Sequence, residues 1–202
     1  MAIALRELNP FQEPPYPVWR FSVADYHRLI AAGGFTEDDP VELLEGWIVP
    51  KMPHNPLHDS ILDGAQETIG QALPSGWRIR VQMAITTADS EPEPDIAVVR
   101  GPADRYRKRH PGPQDIAMLV EVSDATLRSD RVHKGRLYAR AAIPFYWIIN
   151  LVDGQVEVYT EPTGSTEAAR YRCRQDYKKK QSVPLIVGGK TIAEIPVRDL
   201  LG

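Results

Sequence analysis

Residues 116–122 (IAMLVEV) constrain the fold more than any other part of the chain. They form a short, nearly continuous apolar run that contains a single carboxylate, Glu121. An apolar run of this length predicts a strand that is buried on both faces, as in sheets covered by helices on both sides. An isolated ionised carboxylate in such a strand is costly unless it is paired, hydrogen-bonded or metal-bound. The run therefore predicts a central strand with a polar site beside it.

Periodicity and turn signals place the other elements around this strand. Ser22 predicts a helix cap, Gly33-Gly34 a helix end, and Glu45-Gly46 a tight hairpin turn. The middle of the chain then has the order helix, strand, strand, strand, helix, strand, which predicts an α/β fold with a mixed sheet flanked by helices. The predicted helices are 22–32, 57–73 and 129–142, the hairpin is 41–51, and the further strands are 77–87 (with Trp77, Ile79, Val81, Met83 and Ile85 on one side), 95–100, 144–151, 154–160, 182–187 and 190–195.

The length of 202 residues favours a single domain. We expect an extended arm over residues 1–20, a core over 21–160, and C-terminal strands over 161–202. No apolar run approaches the roughly 20 residues of a membrane span, and the first residues lack the pattern of a signal peptide. A single cysteine, Cys173, cannot form an internal disulfide, so a reducing, cytoplasmic location is expected.

The net charge of −3 argues against a wholly basic nucleic-acid binder. It does not exclude a nuclease, because a local positive surface and an acidic metal pocket cancel in the sum. The basic residues are clustered in three segments, which are ordinary solvated faces or phosphate contacts. The candidates for nucleic-acid binding are Arg105, Arg107, Lys108, Arg136 and Arg140.

Asp95 is the second carboxylate in an apolar setting, since it follows Pro94 and opens the strand predicted for residues 95–100. Taken alone, it is also compatible with a turn aspartate. Two carboxylates from the ends of neighbouring strands suit a hard cation such as Mg²⁺. A bound ion of this kind can activate water and stabilise charge on a scissile phosphate. Asp95 and Glu121 are therefore candidate metal ligands.

Lys134 lies in the helix predicted after Glu121. At helical spacing it shares a face with Tyr138 and Ala141, whereas His133, Arg136 and Arg140 share another. A lysine on the less charged face is a candidate for pointing inward, where its ammonium would position water or neutralise the transition state. The alternative is an ordinary surface lysine.

A series of motifs over about residues 25–160 resembles the Uma2 family of restriction-endonuclease-like proteins within the PD-(D/E)xK superfamily. The resemblance implies a restriction-endonuclease-like α/β core, a divalent-metal site for Mg²⁺ or Mn²⁺, and cleavage of phosphodiester bonds. The matching pieces are Val41-Glu-Leu-Leu-Glu-Gly46 with Ile48-Val49, His58, Pro94-Asp95-Ile-Ala-Val, Leu119-Val-Glu-Val-Ser123, Asp130 with Lys134, Tyr138, and Ile143-Pro-Phe-Tyr-Trp-Ile148.

The resemblance also implies roles for single residues. Asp95 and Glu121 match the two carboxylates, and Ser123 stands where the superfamily pattern has its lysine, which Lys134 of the next helix would replace. Glu42 matches the acidic residue of the hairpin, and His58 matches a histidine at the start of the helix. The sequence favours a structural role for Ser123, a helix-terminal charge for Asp130, a core position for Tyr146 and Trp147, and no role for Cys173.

The leading hypothesis is a Mg²⁺- or Mn²⁺-dependent endonuclease that acts on DNA, and a homodimer is compatible with it. One alternative is a non-catalytic nucleic-acid-binding or regulatory module on the same fold, which predicts that Lys134 points away from the carboxylates. A third hypothesis is an oligomeric interaction protein, in which the proline-rich arm and the apolar final segments pack on a partner subunit.

Overall fold

The structure, a computed structural model, describes residues 17–36, 38–165 and 168–202. Most of the expected arm over residues 1–20 therefore lies outside the described residues. The strands are β1 (Val41–Leu44), β2 (Trp47–Pro50), β3 (Trp77–Val81), β4 (Ile96–Arg100), β5 (Ile116–Ser123), β6 (Phe145–Asn150), β7 (Gln155–Pro162), β8 (Tyr171–Lys178), β9 (Ser182–Val187) and β10 (Lys190–Pro196). The helices are α1 (Val23–Ala31), α2 (Pro56–Ala72), α3 (Leu127–Ser129), α4 (Gly135–Arg140) and α5 (Val197–Leu201), with a π-helical turn over Asp130–Lys134 and 3₁₀ turns over Ala103–Tyr106 and Pro113–Asp115.

The central sheet has six strands in the order β3-β4-β5-β6-β7-β8. β5 and β6 are parallel, and the other neighbours are antiparallel, so the sheet is mixed. The core predicted for residues 21–160 contributes five of these strands, and β8 comes from the C-terminal segment. Two hairpins, β1-β2 and β9-β10, lie outside the sheet. No helix in the described residues is long and apolar enough to cross a membrane.

Strand β5 is buried along its whole length. Alternate side chains of a strand point to opposite faces. Val120 accordingly packs into one core with α2, α5 and the β9-β10 hairpin, whereas Leu119 packs into a second core with α4 and the β1-β2 hairpin. The expected α/β architecture, a mixed sheet covered on both sides and preceded by a helix and a hairpin, is confirmed.

One predicted strand is too long. The expected strand 77–87 ends at Val81 because Gln82 has a positive φ of 48°, which turns the chain out of the sheet. Met83 is half exposed, and Ile85 is buried in the second core, so the two do not continue the face of Ile79. The backbone turn at Gln82 also brings its N–H to the carbonyl of Asp95 at 3.1 Å.

Two elements have no counterpart in the sequence analysis. β8 is an edge strand with mostly exposed side chains, so it lacks the apolar alternation that identifies a half-buried strand. α5 has only five residues, too few for a helical period to be recognised. The helix predicted for residues 129–142 begins earlier, at Leu127, and contains the π-helical turn.

Candidate metal centre and its cleft

Asp95 and Glu121 lie on the same face of the sheet. β4 and β5 are antiparallel with Ile96 opposite Val120, so the next pair outward in this register is Asp95 and Glu121. Directly opposite residues of an antiparallel pair point to one face. Both carboxylates are buried, with 5% and 2% of their surface exposed. The two acids that the sequence singled out therefore converge at one point.

Glu121 has two partners from the helical segment that follows β5. The hydroxyl of Tyr138 donates to Oε1 at 2.7 Å, and the ammonium of Lys134 lies 2.9 Å from Oε2. Lys134 and Tyr138 are four residues apart, so both reach the same carboxylate, as their shared helical face predicts. Lys134 thus points inward, toward the carboxylates.

Burial dominates the electrostatics of Glu121. Burial first, and then the neighbouring charges of Asp95 and Asp130, raise the pKa of this carboxyl to about 8, although the Lys134 ammonium and the Tyr138 hydroxyl act to lower it. Burial alone would lower the pKa of Lys134, but the surrounding carboxylates, Glu121 first and Glu42 second, raise it above its ordinary value. The lysine therefore stays charged, and the buried carboxyl of Glu121 is only partly compensated by it.

Asp95 has the opposite balance. Burial acts to raise its pKa, but His58, Lys134 and the backbone N–H of Val122 together hold the pKa below the ordinary value. The Val122 N–H donates to Oδ2 at 2.8 Å, and His58 Nε2 lies 3.2 Å from the same oxygen. Both contacts use Oδ2, so Oδ1 has no hydrogen bond among the described residues. Asp95 is therefore ionised, with one oxygen available to a ligand.

His58 reaches Asp95 from the first turn of α2. Asn55 caps this helix by accepting the His58 N–H at 3.0 Å, which fixes where the helix begins. The hydrogen bond to Asp95 raises the pKa of His58, and burial opposes this. The ring of His54 stacks on His58 at 4.2 Å, and one donor atom each from His54, His58 and Asp95 lie within 4.8 Å of one another. Sequence reasoning missed His54, although its position four residues before His58 was visible.

Glu42 lies in the short strand β1, and Glu45 lies in the turn that follows this strand. Glu42 is buried, lines the cleft, and accepts the backbone N–H of Glu93 at 3.1 Å. Glu45 instead forms an ion pair with Arg136. Glu42 is therefore the acidic residue of the hairpin that faces the carboxylates.

Asp130 lies near the start of the helical segment, as expected, but it has additional contacts there. Asp130 is buried inside the helical segment, at the start of the π-helical turn. Ser123 donates its hydroxyl to Asp130 Oδ2 at 2.7 Å, and Lys134 Nζ lies 3.9 Å from Oδ1. Ser123 thus orients the Asp130 carboxylate, which in turn lies beside the ammonium of Lys134. Asp130 and Lys134 are the two ends of the π-helical turn, which sequence periodicity does not reveal.

The five basic residues predicted to contact nucleic acid do not share the cleft of the two carboxylates. Arg105 binds Asp115 at 2.8 Å, Arg136 binds Glu45, and Arg140 binds Asp89 at 2.6 Å. Arg107 and Lys108 are exposed. None of these five basic residues lines the cleft. Three of them already have an acidic partner, which a sequence alone cannot show.

These groups meet in a cleft of about 760 Å³ between the β1-β2 hairpin, the start of α2 and the segment after β5. Its size falls in the range of ligand sites. The polar residues that line it are Glu42, Lys51, His54, Asn55, His58, Asp59, Gln82, Glu93, Asp95, Glu121, Asp124, Thr126, Ser129, Asp130, His133 and Lys134. Acidic groups surround the buried Lys134 in this cleft, and such a lining suits a cation.

Comparisons with known proteins agree with this architecture. The family model Uma2, described as "Putative restriction endonuclease", matches residues 23–190. A crystal structure described as a putative nuclease belonging to DUF820 from Anabaena variabilis superposes with a TM-score of 0.61 at 17% identity, over 86% of this chain and 96% of that chain. At this identity the structural likeness concerns the fold alone. A comparison with curated proteins gives no match.

Proposed function

The chain belongs to the Uma2 family, described as "Putative restriction endonuclease", and from this premise we propose that it is a Mg²⁺- or Mn²⁺-dependent endonuclease that hydrolyses phosphodiester bonds of DNA. One observation carries the proposal. Asp95 and Glu121 are paired neighbours on one face of the sheet, where β4 meets β5. The ammonium of Lys134 lies 2.9 Å from the Glu121 carboxylate. Two carboxylates can hold a divalent ion that activates water, and a lysine can neutralise charge on the phosphate.

The donor set fits a divalent cation. Asp95 keeps one oxygen free of hydrogen bonds among the described residues, and Glu121 carries a buried carboxyl that only one nearby cation compensates. Oxygen ligands from Asp95, Glu121 and Glu42 suit Mg²⁺, and the histidine nitrogens beside Asp95 are compatible with Mn²⁺. When bound, such an ion would activate water and neutralise charge on the phosphate.

The remaining residues would act on charge and position. Lys134 stays protonated in its buried site, so it would stabilise negative charge on the phosphate without moving a proton. Tyr138 holds the orientation of Glu121, and His58 together with the Val122 N–H holds that of Asp95. Preorganised groups of this kind lower the reorganisation needed during the reaction.

The inward lysine also bears on the non-catalytic alternative. A nucleic-acid-binding module without activity predicts a Lys134 that points away from the carboxylates. The lysine is instead buried between Glu121 and Asp130. This position costs desolvation of the ammonium, and a module without activity does not require it. This placement favours the catalytic proposal.

Further parts of the proposal concern the setting of the enzyme. We assign DNA and not RNA as the substrate, a homodimer as the form that cuts both strands, and the cytoplasm as the location. Light scattering for the mass in solution and parallel assays with labelled DNA and RNA strands test the first two assignments.

Nicking of supercoiled plasmid DNA in Mg²⁺ or Mn²⁺ tests the activity. We expect nicking by the wild-type chain and none by the double variant Asp95→Ala, Glu121→Ala. The matched control is Asp104→Ala, Glu194→Ala, which removes two exposed acids away from the cleft and should nick like the wild type. Equal nicking by the wild type and the cleft variant would overturn the site.

A second measurement does not depend on turnover. An ion that binds only the folded state raises stability by about 2.7 kcal/mol at 100 times its dissociation constant. Mn²⁺ should therefore raise the melting temperature of the wild type and of the exposed-acid control, but not that of the cleft variant.

A further inference from the structure

Two arginines, Arg78 and Arg80, occupy the edge strand of the central sheet. β3 ends the sheet, so one side of its backbone has no neighbouring strand within the part of the chain that the structure describes. Arg78 lies opposite Val99 and Arg80 opposite Ala97. Opposite residues share a face, and alternate residues of β4 point the same way, so both arginines lie on the face that carries Asp95.

The two guanidinium groups lack a counter-charge. Among the described residues neither forms an ion pair, and Nε of each is shielded from water without a hydrogen bond. Arg105, Arg136 and Arg140, by contrast, each bind a carboxylate. Burial, together with the neighbouring Arg78, lowers the pKa of Arg80. Two half-buried like charges side by side favour an anion that reaches their outer N–H groups.

The position of the pair connects it to the cleft. Gln82 follows β3 directly and lines the cleft. At about 3.3 Å per residue, Arg80 and Arg78 lie roughly 7 and 13 Å from Gln82 along the strand. The ring of Tyr106 lies 5.5 Å from the Arg80 guanidinium and supports it on the site face.

The other side of this edge is less suited to an anion. A groove beside β3 is lined by Arg78 and Arg80 but also by Asp63 and Glu67 of α2. These two carboxylates would repel a phosphate in the groove. An anionic chain is therefore restricted to the face that carries Tyr106 and the cleft.

A second copy of the chain is a poorer occupant of the edge. Antiparallel pairing of two β3 strands about Ile79 would place Arg78 directly opposite Arg80 of the second copy. Like charges directly opposite one another are destabilising, and charged edge strands generally prevent such pairing. Protection of the edge alone, however, needs only solvated charges, whereas these two are half-buried and held in place.

We propose that Arg78 and Arg80 bind the phosphodiester backbone of the nucleic-acid strand that leads into the cleft. The planar guanidinium group donates two parallel hydrogen bonds to a phosphate. Arg78 and Arg80 lie about 6.6 Å apart on one strand, so both can reach the same backbone. This inference rests on the proposed nuclease function. It moves the phosphate contacts from Arg105, Arg136 and Arg140, which have internal partners, to the edge strand beside the carboxylates.

The test measures binding without cleavage. The anisotropy of a short fluorescein-labelled DNA duplex is titrated with the full chain in EDTA, between roughly 50 and 200 mM salt. We expect Arg78→Ala, Arg80→Ala to raise the dissociation constant about tenfold and to reduce the salt slope by about 2. Arg78→Lys, Arg80→Lys keeps both charges and should retain the slope.

The matched control is Arg170→Ala, Arg172→Ala, which removes two exposed arginines with the same spacing at the opposite, β8 edge. It should bind like the wild type. An equal loss in this control, unchanged binding by the β3 variant, or no binding by the wild type would overturn the inference. Unchanged binding with new dimers of the β3 variant would show that the arginines only protect the edge.

The same proteins separate this inference from the proposed function. Arginine-dependent binding without plasmid nicking in Mg²⁺ or Mn²⁺ would reject the nuclease and keep the arginine contacts. Nicking with binding that is indifferent to Arg78 and Arg80 would reject the contacts and keep the nuclease.

Discussion

The tripeptide Val-Glu-Val occurs twice, at 120–122 in β5 and at 156–158 in β7, and the two glutamates have opposite surroundings. Both Glu121 and Glu157 lie opposite Ile148 of β6, one on each side. They therefore occupy one row of the sheet, on one face, about 10 Å apart. Both are buried, with 2% and 0% exposure. Local sequence and burial do not distinguish them.

The partners do. Glu157 is bound by Arg131, Arg174, Tyr159, Asn150 and Gln155, and these contacts outweigh burial and lower its pKa to about 2. Glu121 has Lys134 and Tyr138, and burial raises its pKa to about 8. Burial by itself therefore does not identify a functional carboxylate. The informative state is a buried carboxylate with too few donors, because it retains capacity for a cation.

The π-helical turn over Asp130–Lys134 explains how one segment serves both glutamates. Arg131 forms an ion pair with Glu157, and Lys134, three residues later, reaches Glu121. The turn thus supplies one cation to each of two carboxylates in the same row. π-helical turns are frequent at functional sites.

The largest expected effect is on cleavage. Asp95→Asn or Glu121→Gln should lower the single-turnover cleavage rate about 1,000-fold, since each would remove a charged ligand of the proposed metal ion. Glu157→Gln is the matched substitution two strands away, and its folded fraction should cleave within a few-fold of the wild type. A comparable loss in Glu157→Gln would show that the two glutamates are not functionally distinct.

The next effect is on stability. Glu157→Gln leaves Arg131 and Arg174 without their buried carboxylate, so the free energy of unfolding should fall by about 3 kcal/mol. Glu121→Gln should lower it less, because Asp130 and Asp95 still compensate Lys134 and the neutral amide needs no desolvation of charge. Urea unfolding without metal measures both. A greater loss for Glu121→Gln would reverse the comparison.

Replacement of Lys134 or Arg131 by methionine tests the comparison of the two glutamates from the side of their cationic partners. Lys134→Met should reduce cleavage about 100-fold while the fold persists, because the fixed positive charge of the cleft is lost. Arg131→Met, three residues earlier, should destabilise the chain and spare the rate of the folded fraction. Rates and melting temperatures of the two variants, measured side by side, should therefore show opposite patterns.

The hydroxyl of Tyr138 tests a smaller contribution. It donates to Glu121 and lowers the pKa of that carboxyl. Tyr138→Phe should therefore weaken Mn²⁺ binding at neutral pH about tenfold, as is typical for the loss of a group that orients a ligand. Calorimetric titration with Mn²⁺ measures this. Tyr159→Phe, which removes the hydroxyl bound to Glu157, is the matched control and should not change metal affinity.

The smallest effect is the dependence of stability on pH. Glu157 has a folded pKa of about 2 against an ordinary 4.5, so it stabilises above pH 4.5 and this contribution is lost as the pH falls toward 2. About 1 kcal/mol should disappear between roughly pH 5 and pH 3 after allowance for screening. Glu121 has the opposite sign, because its folded pKa of about 8 makes stability fall as the pH rises above 4.5. Unfolding curves across this range should flatten at the acid end in Glu157→Gln and at the neutral end in Glu121→Gln.

Much of the fold followed from local patterns. The hairpin β1-β2, helix α2, and strands β4 to β7 were predicted because each carries its own periodicity or turn signal. β8 was not predicted, because an edge strand with exposed side chains lacks an apolar face. The end of β3 was misplaced, because a positive φ at Gln82 leaves no trace in the alternation around it.

The sequence by itself determined that Asp95 and Glu121 stand in apolar strands where a free carboxylate is unstable. Only the tertiary structure decided what each buried acid does. Glu157 has the same Val-Glu-Val context as Glu121, yet its donors come from β6, β7, β8 and the π-helical turn, elements separated from it by up to 26 residues. The charge state of a buried group depends on all the dipoles and charges around it, and these are assembled only when the chain folds.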